Sequence, residues 1–392
     1  MTSARLHVLV VDDSAVVREA LASVLTAAGG ITVASAADPI VARRLIAVER
    51  PDVILLDLEM PREDGLHFLR DLIATDPIPV VICSSHSTAG SKVALEALRE
   101  GAVDVVAKPR LGVREFVQES AVLIVDAVRA AAGVRVQRAT SREGVAGAAG
   151  PAGLRREPPS VRVTDALGVP RSAPRGESRG APGSGAPSER IIAIAASTGG
   201  PQALTEVLGA LPATMPGIVV VQHMPAGFTN GFARHLDREC AIEVKEAEHG
   251  DLVVDGRVLI APGDQHLAVV RKRGSLAIEI FGGPLVLRHR PSADLLFRST
   301  ARVAGASALG IILTGMGDDG AVALKVMRDA GAMTVAQDEA SCVVFGMPRE
   351  AILGGAAARV LPLSAMAGFI LRWVSDGAAP DAPRPPLAPL PA

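Results

Sequence analysis

Short apolar runs alternate with amphipathic segments of helical length along most of the chain. This alternation is typical of repeated strand–helix units, whose strands form a mostly parallel sheet with helices packed on both faces. After residue 189 such runs return, beginning near Ile191, Ile218 and Gly310. We therefore predict an α/β protein with two doubly wound parallel sheets. In the first part of the chain the predicted strands are Leu6–Val11, Ile31–Ser35, Val53–Asp57, Val80–Cys83 and Val103–Ala107.

The alternation stops between about Val134 and Ser188, where Pro, Gly, Ala, Ser and Arg dominate. Such a composition buries too little apolar surface to offset the entropy lost on ordering. The length of 392 residues also exceeds one typical core. We expect two domains, a disordered linker between them and a Pro-rich tail, with bounds at 5–130, 131–188 (linker), 189–375 and 376–392 (tail).

Charge and hydropathy exclude several classes of partner. The chain has 40 Lys and Arg against 42 Asp and Glu, which gives no electrostatic reason to expect nucleic acid. No apolar stretch approaches the roughly 20 residues needed to cross a bilayer, so no membrane insertion is expected. The first apolar run ends at Asp12 and Asp13, unlike a secretory signal. We expect a cytoplasmic protein.

Polar residues end several strands of the first predicted sheet: Asp12 and Asp13, Asp57, Ser84 and Lys108. Ligands of such sheets bind at the carboxyl ends of the strands. Converging carboxylates need a compensating cation, and Mg2+ prefers oxygen ligands. The set predicts a carboxylate phosphoacceptor, with Asp57 at its centre. A single strand-end aspartate could instead cap the next helix, but that explanation does not suit the whole ordered set.

Ser197 follows the first apolar run of the second part and precedes Thr198, two glycines and Pro201. This order predicts a tight strand-to-helix turn, with the Thr198 amide placed to donate to an oxyanion formed at the serine. The pattern is one residue short of G-x-S-x-G. Taken alone, it also suits a phosphate-binding turn or a plain tight turn.

Two later strand ends strengthen the nucleophile interpretation. His223 follows the run that begins at Ile218 and could act as a general base beside Ser197. A lone histidine at such a position is more often a hydrogen-bonded structural residue. A glycine-spaced loop after the run from Gly310 carries Asp318 and Asp319, and either carboxylate could orient the imidazole. The chain order Ser, His, Asp differs from that of the α/β-hydrolases, chymotrypsin and subtilisin.

Residues 5 to 130 resemble the receiver domain of bacterial response regulators, through the acidic pair, Leu-Leu-Asp-Leu-Glu-Met-Pro around Asp57, Ser84 and the Lys108–Pro109 step. The resemblance implies a flavodoxin-like fold and a sensor histidine kinase as phosphoryl donor. Receivers often carry an aromatic switch residue where this chain has Val105. The implied roles are phosphoacceptor for Asp57, phosphoryl contacts for Ser84 and Lys108, and Mg2+ binding for Asp12, Asp13, Asp57 and the Glu59 backbone carbonyl.

Residues 190 to 373 resemble the catalytic domain of chemotaxis-type protein-glutamate methylesterases. The matching motifs are Ala-Ser-Thr-Gly-Gly, Gln-His-Met-Pro, Ile-Ala-Pro-Gly-Asp, His-Arg-Pro-Ser, Leu-Thr-Gly-Met-Gly-x-Asp-Gly and Ser-Cys-Val-Val-Phe-Gly-Met-Pro. Ala195 stands where the family commonly has Gly. No cofactor is implied for this domain. The implied site is a triad of Ser197, His223 and Asp319, an oxyanion site near Thr198 and Met316, and a substrate groove bordered by the loop His289-Arg290-Pro291-Ser292.

The two resemblances together imply a phosphorylation-activated hydrolase of glutamate methyl esters in chemoreceptors, which also deamidates glutamines. They imply that the unphosphorylated receiver packs over the catalytic mouth. A receiver with a DNA-binding output is disfavoured, since no basic helix-turn-helix segment follows the linker. A catalytically silent scaffold that binds receptors is the remaining alternative.

Overall fold

The computed structural model describes residues 5–60, 64–85, 88–109, 114–134 and 186–376. The predicted linker and tail lie outside these residues except at their edges. Within the described part of the chain, no helix combines the length and the apolar character that a bilayer crossing requires.

The first part of the chain forms a parallel sheet of five strands in the order β2-β1-β3-β4-β5. All residues of β3 and β4 are buried, as expected for strands covered by helices on both faces. The predicted strands are found within a residue at each end. The strands are β1 Leu6–Val11, β2 Ile31–Ala36, β3 Val53–Leu56, β4 Val80–Ser84 and β5 Asp104–Ala107.

Helices follow each of these strands, and polar side chains cap three of them. Ser14, Asp38 and Asp64 each accept a hydrogen bond from a backbone N–H in the first turn. Because Ser14 caps the helix after β1, capping does not account for Asp12 and Asp13. The helices are α1 Ala15–Ala27, α2 Pro39–Val48, α3 Gly65–Thr75, α4 Thr88–Arg99 and α5 Arg114–Ala132.

The second part forms a parallel sheet of seven strands, which confirms the predicted α/β class. The strands of this part of the chain, seven of which belong to the sheet, are β6 Ile191–Ala196, β7 Gly217–Gln222, β8 Glu243–Glu246, β9 Arg257–Ile260, β10 His266–Lys272, β11 Ser275–Phe281, β12 Ala308–Ile312, β13 Met333–Gln337 and β14 Arg359–Leu361. Their order in the sheet is β14-β13-β12-β6-β7-β9-β8. The chain winds in opposite directions on the two sides of β6, so the carboxyl end of β6 is the point where ligands of such sheets bind.

The remaining strands, β10 and β11, pair as an antiparallel hairpin outside this sheet, and the sequence patterns did not predict them. The helices of this part flank the large sheet. They are α6 Gly200–Gly209, α7 Phe228–Glu239, α8 Ala293–Ala304, α9 Ala321–Asp329, α10 Met347–Leu353 and α11 Leu363–Ser375.

The two sheet domains pack against each other through α4 of the first and α6 and α7 of the second. Leu95 and Leu98 on α4 belong to one buried apolar cluster with Phe232 on α7. The Gln202 side chain on α6 donates to the carbonyls of Leu98 at 2.9 Å and Ala102 at 3.2 Å. This contact brings β5 and α5 of the first domain over the carboxyl end of β6.

Candidate phosphoacceptor and active sites

The acidic residues of the first sheet do converge at its carboxyl edge. Carboxylate oxygens of Asp12, Asp13 and Asp57 lie within 4.8 Å of one another. Lys108 Nζ lies 2.9 Å from Asp12 Oδ2 and 2.7 Å from Asp57 Oδ2. Ser84 is buried at the end of β4, and its carbonyl accepts the Lys108 backbone N–H, so these two residues stand side by side.

The electrostatics of this edge suit a divalent cation. Burial raises the pKa of Asp57 although Lys108 and the Glu59 amide, which donates to Asp57 Oδ1 at 3.0 Å, oppose the change. Burial by itself would lower the pKa of Lys108, but its contacts with the two carboxylates raise it. One lysine cannot balance three carboxylates, and hard oxygen ligands are those that Mg2+ selects. The residues present therefore fit the metal that a receiver requires.

Ser197 occupies the turn between β6 and α6. Its N–H donates to the carbonyl of Thr314 at 3.0 Å, and its carbonyl accepts the Gly200 N–H at 2.7 Å. Gly199 has φ 77°, and a Cβ at Gly200 would come within 2.0 Å of Gln222 Oε1. Both glycines are therefore required by the turn. Ala195 lies inside β6 and not in the turn, so its methyl packs in the buried core and does not change the turn directly.

His223 stands beside Ser197 because β6 and β7 are adjacent and in register. The His223 N–H donates to the Ala196 carbonyl at 3.0 Å. On the imidazole, Nε2 lies 2.8 Å from Asp319 Oδ2. The other ring nitrogen, Nδ1, is buried and has no hydrogen-bond partner among the described residues. Nδ1 is thus the nitrogen left to accept a proton, and no hydrogen bond from Ser197 reaches it in this arrangement.

Asp319, and not Asp318, faces His223. Asp319 is fully buried and accepts hydrogen bonds from Ser292 Oγ at 2.8 Å and from the amides of Ala293 and Asp294 at 2.7 and 3.0 Å. Burial alone would raise the pKa of Asp319, but the His223 contact and the Ala293 amide N–H hold it below its ordinary value. Asp318 is half-exposed on the outside of the loop. The carboxylate at Asp319 is therefore ionised and fixed in place.

Residues of the first domain close the space in front of these groups. A cavity of about 270 Å³ is bordered by Ser197 and His223 on one side and by Asp104 and Val105 of β5 on the other. The Thr198 hydroxyl donates to Asp104 Oδ2 at 2.5 Å. Burial raises the pKa of Asp104 to about 6, against the lowering effect of this hydrogen bond and of the one from the Val105 amide.

Other residues proposed from the sequence surround the same cavity. Met316 and Arg290 line it. The Arg290 guanidinium donates to Asp264 Oδ1 through Nε at 2.9 Å and Nη2 at 2.6 Å, which fixes the loop that borders the cavity. The structure thus brings all the predicted catalytic-domain residues to one place.

Sequence reasoning did not predict four contacts at this site, although two of the residues that make them, His289 and Ser292, belong to the loop that it placed at the groove. Asp104 and Asp126 act across the domain boundary: Asp126 Oδ2 lies 3.4 Å from Arg288 Nη1. Ser292 orients Asp319, and a Ser before a helical segment was the available signal for it. His289 stacks on His223, with 3.8 Å between ring centroids. No pattern within the sequence could have indicated that contact.

Comparisons with known proteins identify the families that the two parts of the chain match. The family model "Response regulator receiver domain" matches residues 8–118, and the model "CheB methylesterase" matches residues 192–370. The "Protein-glutamate methylesterase/protein-glutamine glutaminase 5" of Anaeromyxobacter dehalogenans is 53% identical over 373 residues, covering 95% of this chain and 98% of the relative. The protein of that name numbered 3 in Geobacter metallireducens is 48% identical, covering 94% of this chain and 99% of the relative. This chain belongs to the family of protein-glutamate methylesterases/protein-glutamine glutaminases that carry a receiver domain.

Proposed function

We propose that this enzyme hydrolyses methyl esters of glutamate side chains in chemoreceptors, deamidates specific glutamines, and uses Ser197 as its nucleophile. The observation that carries the assignment is the His223–Asp319 pair at the strand end next to Ser197. A silent scaffold would need no such aligned pair. The proposed domain limits are 5–130 for the receiver and 189–375 for the catalytic domain.

In the proposed reaction, Ser197 Oγ attacks the ester carbonyl while His223 Nδ1 takes the hydroxyl proton. Asp319 accepts the Nε2–H and stabilises the imidazolium that forms. The Thr198 and Met316 backbone amides would hold the oxyanion. His223 returns the proton as the C–O bond to methanol breaks, and it then activates a water molecule that releases the glutamate carboxylate from Ser197. With a glutamine side chain, ammonia leaves in place of methanol.

In this proposal the protein is cytoplasmic, and its regulation begins at Asp57, which takes a phosphoryl group from a sensor histidine kinase. Asp12, Asp13, Asp57 and the Glu59 carbonyl would hold Mg2+, which when bound neutralises charge on the transferred oxygens. Ser84 and Lys108 would contact the phosphoryl group. The unphosphorylated receiver keeps substrate out because β5 and α5 cover the cavity, and phosphorylation shifts the population toward the open enzyme.

Methanol release from methylated receptor membranes tests the catalytic assignment. Wild type should release methanol and Ser197→Ala should not, while the control Ser375→Ala, at an exposed helix end, should match wild type. Equal release by Ser197→Ala and wild type would eliminate the assignment.

A second comparison tests the regulatory part. Removing residues 1–188 should raise basal release, because the cavity is then uncovered. Unchanged release after this truncation would contradict occlusion by the receiver, without affecting the assignment of Ser197.

A further inference from the structure

A second imidazole lies flat against the catalytic one. The rings of His223 and His289 have centroids 3.8 Å apart and planes 5° apart. His289 is only 9% exposed. It takes no part in the proton transfers of the proposed reaction, yet it covers one whole face of the ring that performs them.

The backbone around His289 is held in an unusual conformation. Val286 and His289 form a bridge through two hydrogen bonds, of 3.1 and 2.9 Å, and the two residues between them make the turn. These residues, Leu287 and Arg288, have φ of 47° and 70°. Leucine and arginine rarely adopt this left-handed region, and such outliers persist where the surrounding structure imposes them, often near functional groups. The turn places the His289 ring on His223.

The chemistry of the pair favours a neutral ring at position 289. Burial and the proximity of His223 lower the pKa of His289 to about 3, although the negative charge of Asp319 opposes this. When His223 accepts the serine proton, a second charged imidazole at 3.8 Å would repel it. A neutral ring carries no charge that would repel the imidazolium.

We propose that His289 is a positioning residue for the reaction, whose flat side chain holds the His223 ring in the plane where Nε2 meets Asp319 and Nδ1 remains available to Ser197. The inference rests on the proposed function. A ring that could tilt about its side-chain bonds would lose one of these two alignments, and misplacement of a catalytic group by about 1 Å can cost on the order of 100-fold in rate.

The test compares His289→Phe with His289→Leu in the full chain, with an acyl phosphate present to phosphorylate the receiver. Both substitutions are apolar and fill comparable space, but only phenylalanine is flat. The kcat for methanol release from methylated receptor membranes should fall by roughly 10- to 100-fold in the leucine variant, with KM little changed, and by much less in the phenylalanine variant. Equal kcat values for the two variants would overturn the proposal, because they would show that the ring serves only to fill space.

A spectroscopic measurement gives a readout that does not depend on esterase activity. Long-range 1H–15N NMR of histidine-labelled protein should show His223 as the Nε2–H tautomer in wild type and in the phenylalanine variant, and as a mixture of tautomers in the leucine variant. A single Nε2–H tautomer in all three proteins would also overturn the proposal. Failure of the proposed function would be seen separately, as full methanol release by Ser197→Ala.

Discussion

Replacing Asp104 by asparagine tests how tightly the receiver closes the active site. The Asp104 carboxyl lies against Thr198 in the closed arrangement, where burial raises its pKa from 3.8 to about 6. The closed enzyme therefore binds a proton at this carboxyl more readily than the open one. The pH dependence of closure follows from that difference. The closed arrangement is most favoured over the open one below about pH 4, becomes less favoured as the pH rises toward about 6, and does not change further above that value.

The size of the effect follows from the same two pKa values. Their difference corresponds to roughly 3 kcal/mol, or a factor on the order of 100 in the closed-to-open equilibrium constant. Asparagine is neutral at every pH, and its carbonyl oxygen can still accept the Thr198 hydroxyl. Asp104→Asn should therefore close as strongly at every pH as the wild-type enzyme does when Asp104 is protonated. At neutral pH, its closed-to-open equilibrium constant should exceed that of wild type by up to about 100-fold.

The assay is the ratio of methanol release by the unphosphorylated full chain to release by a fragment starting at residue 189, measured from about pH 4 to about pH 7. Division by the fragment cancels the pH dependence of the chemical step. For wild type the ratio should rise with pH, and for Asp104→Asn it should stay low and nearly flat. The control Asp71→Asn removes an exposed carboxyl from the receiver and should behave as wild type. A ratio for Asp104→Asn that follows the wild-type curve would refute the reasoning.

Three further substitutions test separate contacts. Ser292→Ala removes one hydrogen bond from the Asp319 carboxylate and should lower kcat by roughly 10-fold at unchanged KM; an unaltered kcat would mean that the α8 amides suffice. Asp126→Asn breaks the ion pair with Arg288, whose guanidinium is half-exposed, so the activity of the unphosphorylated enzyme should rise by no more than about fivefold. A larger rise would show that this ion pair holds the two domains together more strongly than its geometry supports. Asp57→Asn should hold methanol release at the unphosphorylated level and incorporate no labelled phosphoryl group, and continued labelling would place the acceptor elsewhere.

The residues that the apolar pattern indicated, without any family resemblance, lie just beyond a buried apolar run. Ser197 and His223 were predicted to meet because parallel strands present their carboxyl ends at one edge of a sheet, and the structure places them on adjacent strands. The same argument brought Asp57 and Lys108 together. Strand position could not separate Asp318 from Asp319, because the choice depends on which carboxylate accepts hydrogen bonds from the first amides of α8.

The contacts that the sequence patterns did not predict join residues that are far apart in the sequence. Asp104 is unremarkable within its own domain, and only the packing of α4 on α6 and α7 brings it to Thr198. His289 likewise reaches His223 through a turn whose φ values its residue types do not favour. Periodicity reports which face of an element is buried, but it carries no information on which other surface covers that face.

Strand β5 is four residues long, which at about 3.3 Å per residue makes it roughly 13 Å from end to end. It begins at Asp104, which accepts a hydrogen bond from Thr198, and its last residue is followed by Lys108, which pairs with Asp57. In the proposed regulation, this one short strand therefore connects the phosphorylation site at Asp57 with the turn that carries Ser197. If the proposed regulation runs through this strand, we expect that it does not depend on an aromatic residue at position 105, where a buried valine stands.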